Sequence, residues 1–380
     1  MNISLFLGVF GFLAVVYLIL GIWASRGIKT QEDYFLAGRK LGFWSVFFTL
    51  IATQVGGGML LGTSAQAYEF GYVGIFYTLG MSLGFLLLGF GFASKLRSFH
   101  VATTAELFET KYNSDLLKKI ASILSVASMV GILAGQVIAL KSLLLGLGIT
   151  SNIVFILFWA VIVLYTIAGG LKAVVITDIF QVSFIIVIFL SLFIYSIVTE
   201  PSSFFSLNDF ILRQSFFDSS NFSFFKFLPV LLTPMIFSLI EQDLAQRFFS
   251  AKNKFIAGIS ALASAVFLIS FSFIPVYFGM KARLNGLIVA KGASPLMVFL
   301  ESISGEFFLV LVVCGLGAAI ISTADSLLCA VSSNISQDFE FSFLRLKNRL
   351  WLSRITTLVT GVVAYLIATF SDNIINMLVK

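Results

Sequence analysis

Apolar residues run along this chain in long blocks, and polar residues collect in the short connections between them. Ten blocks stand out, at about 4–24, 42–68, 73–94, 120–147, 152–169, 173–198, 226–248, 255–280, 304–334 and 352–371. A helix needs roughly 20 apolar residues to cross a bilayer, and each block approaches or exceeds that length, with 152–169 the shortest. The pattern predicts an all-α membrane protein of about ten transmembrane helices. The first block could pass for a signal peptide. It starts without basic residues and is followed by Arg26 instead of a small-residue cleavage site, so it reads as a retained helix.

Two blocks are interrupted. Gly56, Gly57 and Gly58 sit near the middle of 42–68, and each glycine costs a helix about 1 kcal/mol relative to alanine. Pro229 and Thr233-Pro234 fall within 226–248 and predict a second interruption there. Irregular backbone at membrane depth is tolerated only where it faces a cavity, an ion or a ligand. Interrupted spans in corresponding positions of two halves point to the binding site of a transporter, so the pattern implies ion-coupled transport. On this reading residues 1–41 are an extra N-terminal helix and a cytoplasmic loop, and 42–198 form a first five-helix repeat. Residues 199–225 form an extracytoplasmic loop, with a short interfacial helix expected around Phe210, Ile211 and Leu212. Residues 226–380 form a second repeat with four helices, one short of five.

Composition agrees with the pattern. The chain is 59% hydrophobic and 11% charged, with a mean hydropathy of +1.04, whereas soluble domains carry roughly 25% charge. The net charge of +6 is a topology signal. Of the 24 Lys and Arg, 17 fall on the odd-numbered connections, 6 on the even ones with the C-terminal tail, and Lys141 inside a block. The positive-inside rule then puts the odd connections in the cytoplasm and the N-terminus outside, in a multi-pass protein of the cell membrane. Cys314 and Cys329 share one block and read as small packing residues. His100 is the sole histidine, and neither a zinc spacing nor a phosphate-binding glycine loop is present, so no covalent chemistry is implied.

Five stretches resemble the sodium:solute symporter family, which carries proline, pantothenate, sialic acid and sugars. They are Asp33–Arg39, Thr104–Tyr112, Gly169–Gln181, Gln246–Asn253 and Ser322–Leu328, and they occur in the family's order. The most specific is Gly169-Gly170-Leu171-Lys172-Ala173-Val174-Val175-Ile176-Thr177-Asp178. The resemblance implies a LeuT-like fold of inverted five-helix repeats, here with the second repeat lacking its last helix. It also implies a sodium ion as the coupling ion. By motif, its ligands fall on the carbonyls of Ala52 and Val55, the carbonyl of Ala319, and the hydroxyls of Ser322 and Thr323. Positions 319, 322 and 323 share one helix face, as such a set requires. Alternatively, the two hydroxyls bond only to carbonyls one turn back.

Ionisable groups inside spans cost at least ~2.5 kcal/mol and read as functional by default. Asp178 and Asp325 would form an acidic inner vestibule for ion release, or else sit at wet helix ends beside basic residues. Asp243 reads as a salt-bridge partner of Arg247, and Lys141 as a snorkelling residue. Solute candidates near the two interruptions are Thr53, Gln54, Gly57, Gln136, Phe237, Ser238 and Glu241. The expected function is sodium-coupled import of a small organic solute, of amino-acid, carboxylate or sugar-like type, by alternating access. The rival is a non-transporting relic, or a binding and sensing module that kept the fold. A channel finds no support, because no ring of charges is visible.

Overall fold

The computed structural model describes residues 2–199, 224–289, 293–339 and 349–379. The expected interfacial helix around Phe210 lies outside the described residues. Among the described residues the elements are helical, apart from one isolated bridge between Leu41 and Ala251.

In chain order the helices are α1 (Ile3–Ala24), α2 (Gln31–Leu36), α3 (Phe43–Gln54), α4 (Thr63–Phe70), α5 (Phe76–Leu87), α6 (Ala93–Ser98), α7 (Glu106–Tyr112), α8 (Asp115–Gly146) and α9 (Asn152–Thr199). They continue as α10 (Phe224–Ile240), α11 (Gln242–Ser250), α12 (Lys254–Leu284), α13 (Pro295–Ile303), α14 (Glu306–Asp338) and α15 (Arg349–Val379). Seven helical segments among the described residues are long and apolar enough to cross a membrane, and α10 with α11, bent by 45°, makes an eighth if counted as one span. The short helices α2, α7 and α13 were not expected from hydrophobic blocks. They lie in connections, and Thr30 and Asp33 start α2 with a reciprocal capping box.

Two of the seven segments fold back on themselves. Gly170 breaks α9 with φ 50° and ψ −145°. Thr177 approaches Asp325 at 3.5 Å, and Tyr165 donates to the same carboxylate. In a straight helix these two residues would stand ~18 Å apart along the axis, so the arms converge only because the chain turns at Gly170. The segment Gly58–Ser98 turns at Gly71, φ 66°, which brings Thr63 and Thr78 hydroxyls to 3.4 Å. Each of these segments therefore contains a break where the hydrophobic blocks predicted a connection.

Helix α14 is the central element, packed against α1, α8, α9 and α15. Its small residues let neighbours approach: a Cβ at Gly317 would stand 2.6 Å from the Phe10 ring. Large apolar side chains cover the outside, among them Phe12, Ile19, Leu157, Val187 and Phe273. A surface this apolar suits lipid rather than water. The molecule is a multi-pass membrane protein.

Candidate ion and solute site

Helix α3 ends at Gln54, and Val55, with ψ 65°, leaves the helical path. Helical geometry resumes at Gly58 with a wide turn. The break exposes the end of α3 to α14, whose Ser322 and Thr323 face it. The Ser322 hydroxyl lies 3.1 Å from the Ala52 carbonyl and 3.1 Å from that of Ala319. Thr323 Oγ1 lies 3.1 Å from the Ala319 carbonyl and 3.5 Å from that of Thr53. Both hydroxyls thus bond one turn back, and they also meet carbonyls from a helix 270 residues away. The oxygens of Ala52, Ala319, Ser322 and Thr323 come together; Val55 is buried at the break beside them. A Cβ on Gly56 would sit 3.0 Å from Thr323 Oγ1, so glycine keeps the two helices in register.

The second interruption is displaced from where the prolines predicted it. Pro229 and Pro234 both lie inside the continuous helix α10. Ser238 Oγ donates to the Pro234 carbonyl at 2.7 Å, the one-turn-back bond common for hydroxyls in apolar helices. The break comes at Glu241, whose backbone is extended at φ −66° and ψ 124°, between α10 and α11.

Between the two breaks lies a cavity of about 630 Å³. All seven solute candidates line it: Thr53, Gln54, Gly57, Gln136, Phe237, Ser238 and Glu241. It is also lined by Gln66, Tyr77, Met59, Met81 and Asp243, which the sequence did not single out as cavity residues. Gln66 and Tyr77 lie on α4 and α5, and no local pattern says that the turn at Gly71 aims both helices at the break.

Below the hydroxyls, one turn along both α3 and α14, sits a buried polar cluster. Asp178 accepts from the Thr49 hydroxyl and lies 3.8 Å from the Arg247 guanidinium. Arg247 also donates to Ser326 Oγ at 2.5 Å and to the Asp243 carbonyl at 2.6 Å. The expected Asp243–Arg247 salt bridge is therefore corrected: the ion pair runs to Asp178, and Arg247 reaches Asp243 through its backbone. Asp325 accepts from Tyr165. Asp178 and Asp325 are both 0% exposed, so neither is at a wet helix end. Thr49, Tyr165 and Ser326 were missed because hydroxyls on apolar helices are common; only their convergence on these carboxylates marks them.

At the same end of the molecule the chain is stitched shut. Arg39 donates to the His100 carbonyl at 2.9 Å, and Arg97 to that of Ala251 at 2.6 Å. Gln242 accepts from the Thr104 N–H at 2.6 Å. Asp338, a buried carboxylate the sequence reading passed over, accepts from Thr103 at 2.6 Å and Ser122 at 2.7 Å.

Comparison with known proteins decides the family. The sequence model of the sodium:solute symporter family matches residues 34–380. The chain belongs to the sodium:solute symporter family. Within it, high-affinity choline transporter 1 of Caenorhabditis elegans is 30% identical over 45% of this chain and 31% of that protein. The sodium/proline symporter of Staphylococcus aureus (strain bovine RF122 / ET3-1) is 26% identical over 96% of this chain and 76% of that protein. A Na+-coupled sialic acid symporter, solved in a substrate-bound outward-open state, superposes with a TM-score of 0.80 at 18% identity, covering 96% of this chain and 80% of that one. At that identity the likeness concerns the fold. The family match extends from α2 through α15, while matches to the first curated relatives cover about a third of their length, 31%, 34% and 28%.

Proposed function

We propose that this chain is a sodium-coupled secondary symporter that imports a small organic solute by alternating access. The observation that carries the reading is the meeting of the Ser322 and Thr323 hydroxyls with the carbonyls of Ala52 and Thr53 at the break of α3. Sodium is a hard cation served by oxygen ligands, and unwound half-helix ends supply them in transporters. The ligand set is the carbonyls of Ala52, Val55 and Ala319 with the hydroxyls of Ser322 and Thr323. All five are neutral, which favours the reversible binding that a cycling carrier needs. The solute occupies the cavity between the breaks, touching some of Thr53, Gln54, Gly57, Gln136, Phe237, Ser238 and Glu241.

Ion release runs past the buried cluster. Asp178 and Asp325 attract the departing sodium, and the Asp178–Arg247 pair closes the route until the inner end opens. The stitched end is the cytoplasmic one, in keeping with the positive-inside count, and the N-terminus faces outward in a cell membrane. With the two fold-backs and the bent pair, the helices suit ten crossings. Residues 42–198 then form one repeat and 226–380 the matching part of a second, flanked by 1–41 and the connection 199–225. One charge moving through 100 mV releases about 2.3 kcal/mol, and about 1.4 kcal/mol is tenfold in concentration. One sodium therefore sustains a solute gradient of roughly 50-fold from voltage alone.

The relic reading loses ground, because a decayed carrier has no reason to keep its hydroxyls aimed at the helix break. The test is entry of ²²Na⁺ into proteoliposomes, with and without a mixed pool of small organic solutes. Saturable, solute-stimulated entry that is lost in Ser322→Ala/Thr323→Ala is expected. Unsaturable entry indifferent to solute would contradict coupling, and no entry would favour the relic.

A further inference from the structure

The cavity between the breaks is lined by acidic groups, Glu241 and Asp243, without a basic counterpart among its described lining residues. The nearby guanidinium of Arg247 is engaged by Asp178, Ser326 and the Asp243 carbonyl. Asp243 is 1% exposed, and while one oxygen accepts from the Leu244 N–H at 2.8 Å, its Oδ2 has no hydrogen-bond partner. Glu241 and Asp243 stand two residues apart at the break before α11, and Gln54 lines the same cavity. Two carboxylates this close repel each other unless a proton or a cation is shared between them, and a solute cation can take that place. Burying an unpaired charge is costlier still.

The rest of the lining suits the same occupant. Tyr77 and Phe237 bring aromatic rings, whose faces attract cations, and Met59 and Met81 add polarizable thioethers. The buried Gln66 Oε1 is an acceptor without a partner. A solute bearing a carboxylate would find no fixed cation among these residues and would face like charge. A sugar would find the amides of Gln54, Gln66 and Gln136 but bring the acid pair no cation.

We propose that the cavity selects a small organic cation, an amine or quaternary ammonium, seated between the Glu241–Asp243 pair and the rings of Tyr77 and Phe237. This rests on the symporter reading and narrows its solute class, setting aside carboxylates and sugars. Sodium and the solute then bring two positive charges to a region rich in carboxylates. The volume of about 630 Å³ lies within the usual span of small-molecule sites.

Titration calorimetry on the purified chain tests it with choline, its neutral carbon isostere 3,3-dimethyl-1-butanol, and trimethylglycine, which adds a carboxylate. Choline is expected to bind at least about tenfold tighter than either, and Glu241→Gln to remove about that factor, the order of one charge-assisted contact. Failure of choline to bind, equal or tighter binding of the isostere or of trimethylglycine, or unchanged choline affinity in Glu241→Gln would overturn the proposal. The wild-type comparison stands even if the variant fails to fold. A separate arm measures the sodium-specific melting shift without solute. A sodium shift with no choline binding overturns the cation proposal and leaves the sodium site standing. Choline binding without a sodium shift supports the cation site and removes the coupling.

Discussion

Gly56 shows how much a single missing side chain decides. A Cβ there would stand 3.0 Å from Thr323 Oγ1, whereas one at Gly57 would meet nothing within 4 Å. Gly56→Ala is expected to cost about 1–3 kcal/mol and to weaken the sodium response. Gly57→Ala is expected to leave the sodium response nearer wild type, and melting curves with and without sodium compare them. Asp33 belongs to the surface and answers to pH. Its partial burial opposes ionisation, but hydrogen bonds from Lys29 and Thr30 and the charge of Lys40 outweigh that and hold its carboxyl below the usual range. A depressed folded pKa stabilises above the unfolded value and is lost as pH falls through the folded one. Asp33→Asn is therefore expected to lower the melting temperature at pH 7 and to matter least once the pH has fallen below the depressed folded value, where both side chains are neutral. The triple glycine and the paired hydroxyls could be read from the sequence because each breaks a local rule for an apolar helix. Arg247 could not be assigned its partner that way. Asp243, four residues before it, is the nearer choice along one helix, and only tertiary packing brings Asp178 to the guanidinium.

At the scale of elements, the reversals matter more than the helices. Gly170 has φ 50°, and a Cβ there would stand 2.3 Å from the Tyr34 carbonyl. Gly170→Ala is expected to destabilise by roughly 2–6 kcal/mol, combining backbone strain and overlap, as thermal melting would report. Little or no loss would mean that the turn at Gly170 does not hold the α9 arms together. The sequence placed this turn between two apolar blocks because Gly169-Gly170 and Lys172 interrupt them. The second broken span lies within 226–248 as expected, but its break is not at the prolines, because proline alone is a poor guide inside a membrane helix. Pro229 and Pro234 are absorbed within α10, and the chain leaves the helix at Glu241, where the extended backbone turns a carboxylate toward the cavity. Asp243 then falls in the first turn of α11, where the helix dipole favours negative charge.

Across the whole molecule, one end is closed and the cavity lies between two breaks. The closure depends on side chains that grip backbone, with Gln242 holding Ala102 and Thr104 from the first turn of α11. Gln242→Ala is expected to speed amide exchange at Ala102–Thr104 by about 5- to 30-fold, the effect of one or two hydrogen bonds. Unchanged exchange would show that this grip does not hold the end shut. The membrane class, the spacing of apolar blocks and the family were legible because they rest on composition and on short motifs. The seam was not, because it joins residues as distant as Thr103 and Asp338 through contacts that no local pattern encodes. The central claim is that α3 and α14 together hold sodium. The most direct measurement is the melting temperature of the purified chain in sodium and in potassium, for wild type and Ser322→Ala/Thr323→Ala. The account predicts a rise specific to sodium that disappears in the double variant. Equal shifts in both cations, or a sodium shift that survives without the two hydroxyls, would contradict it.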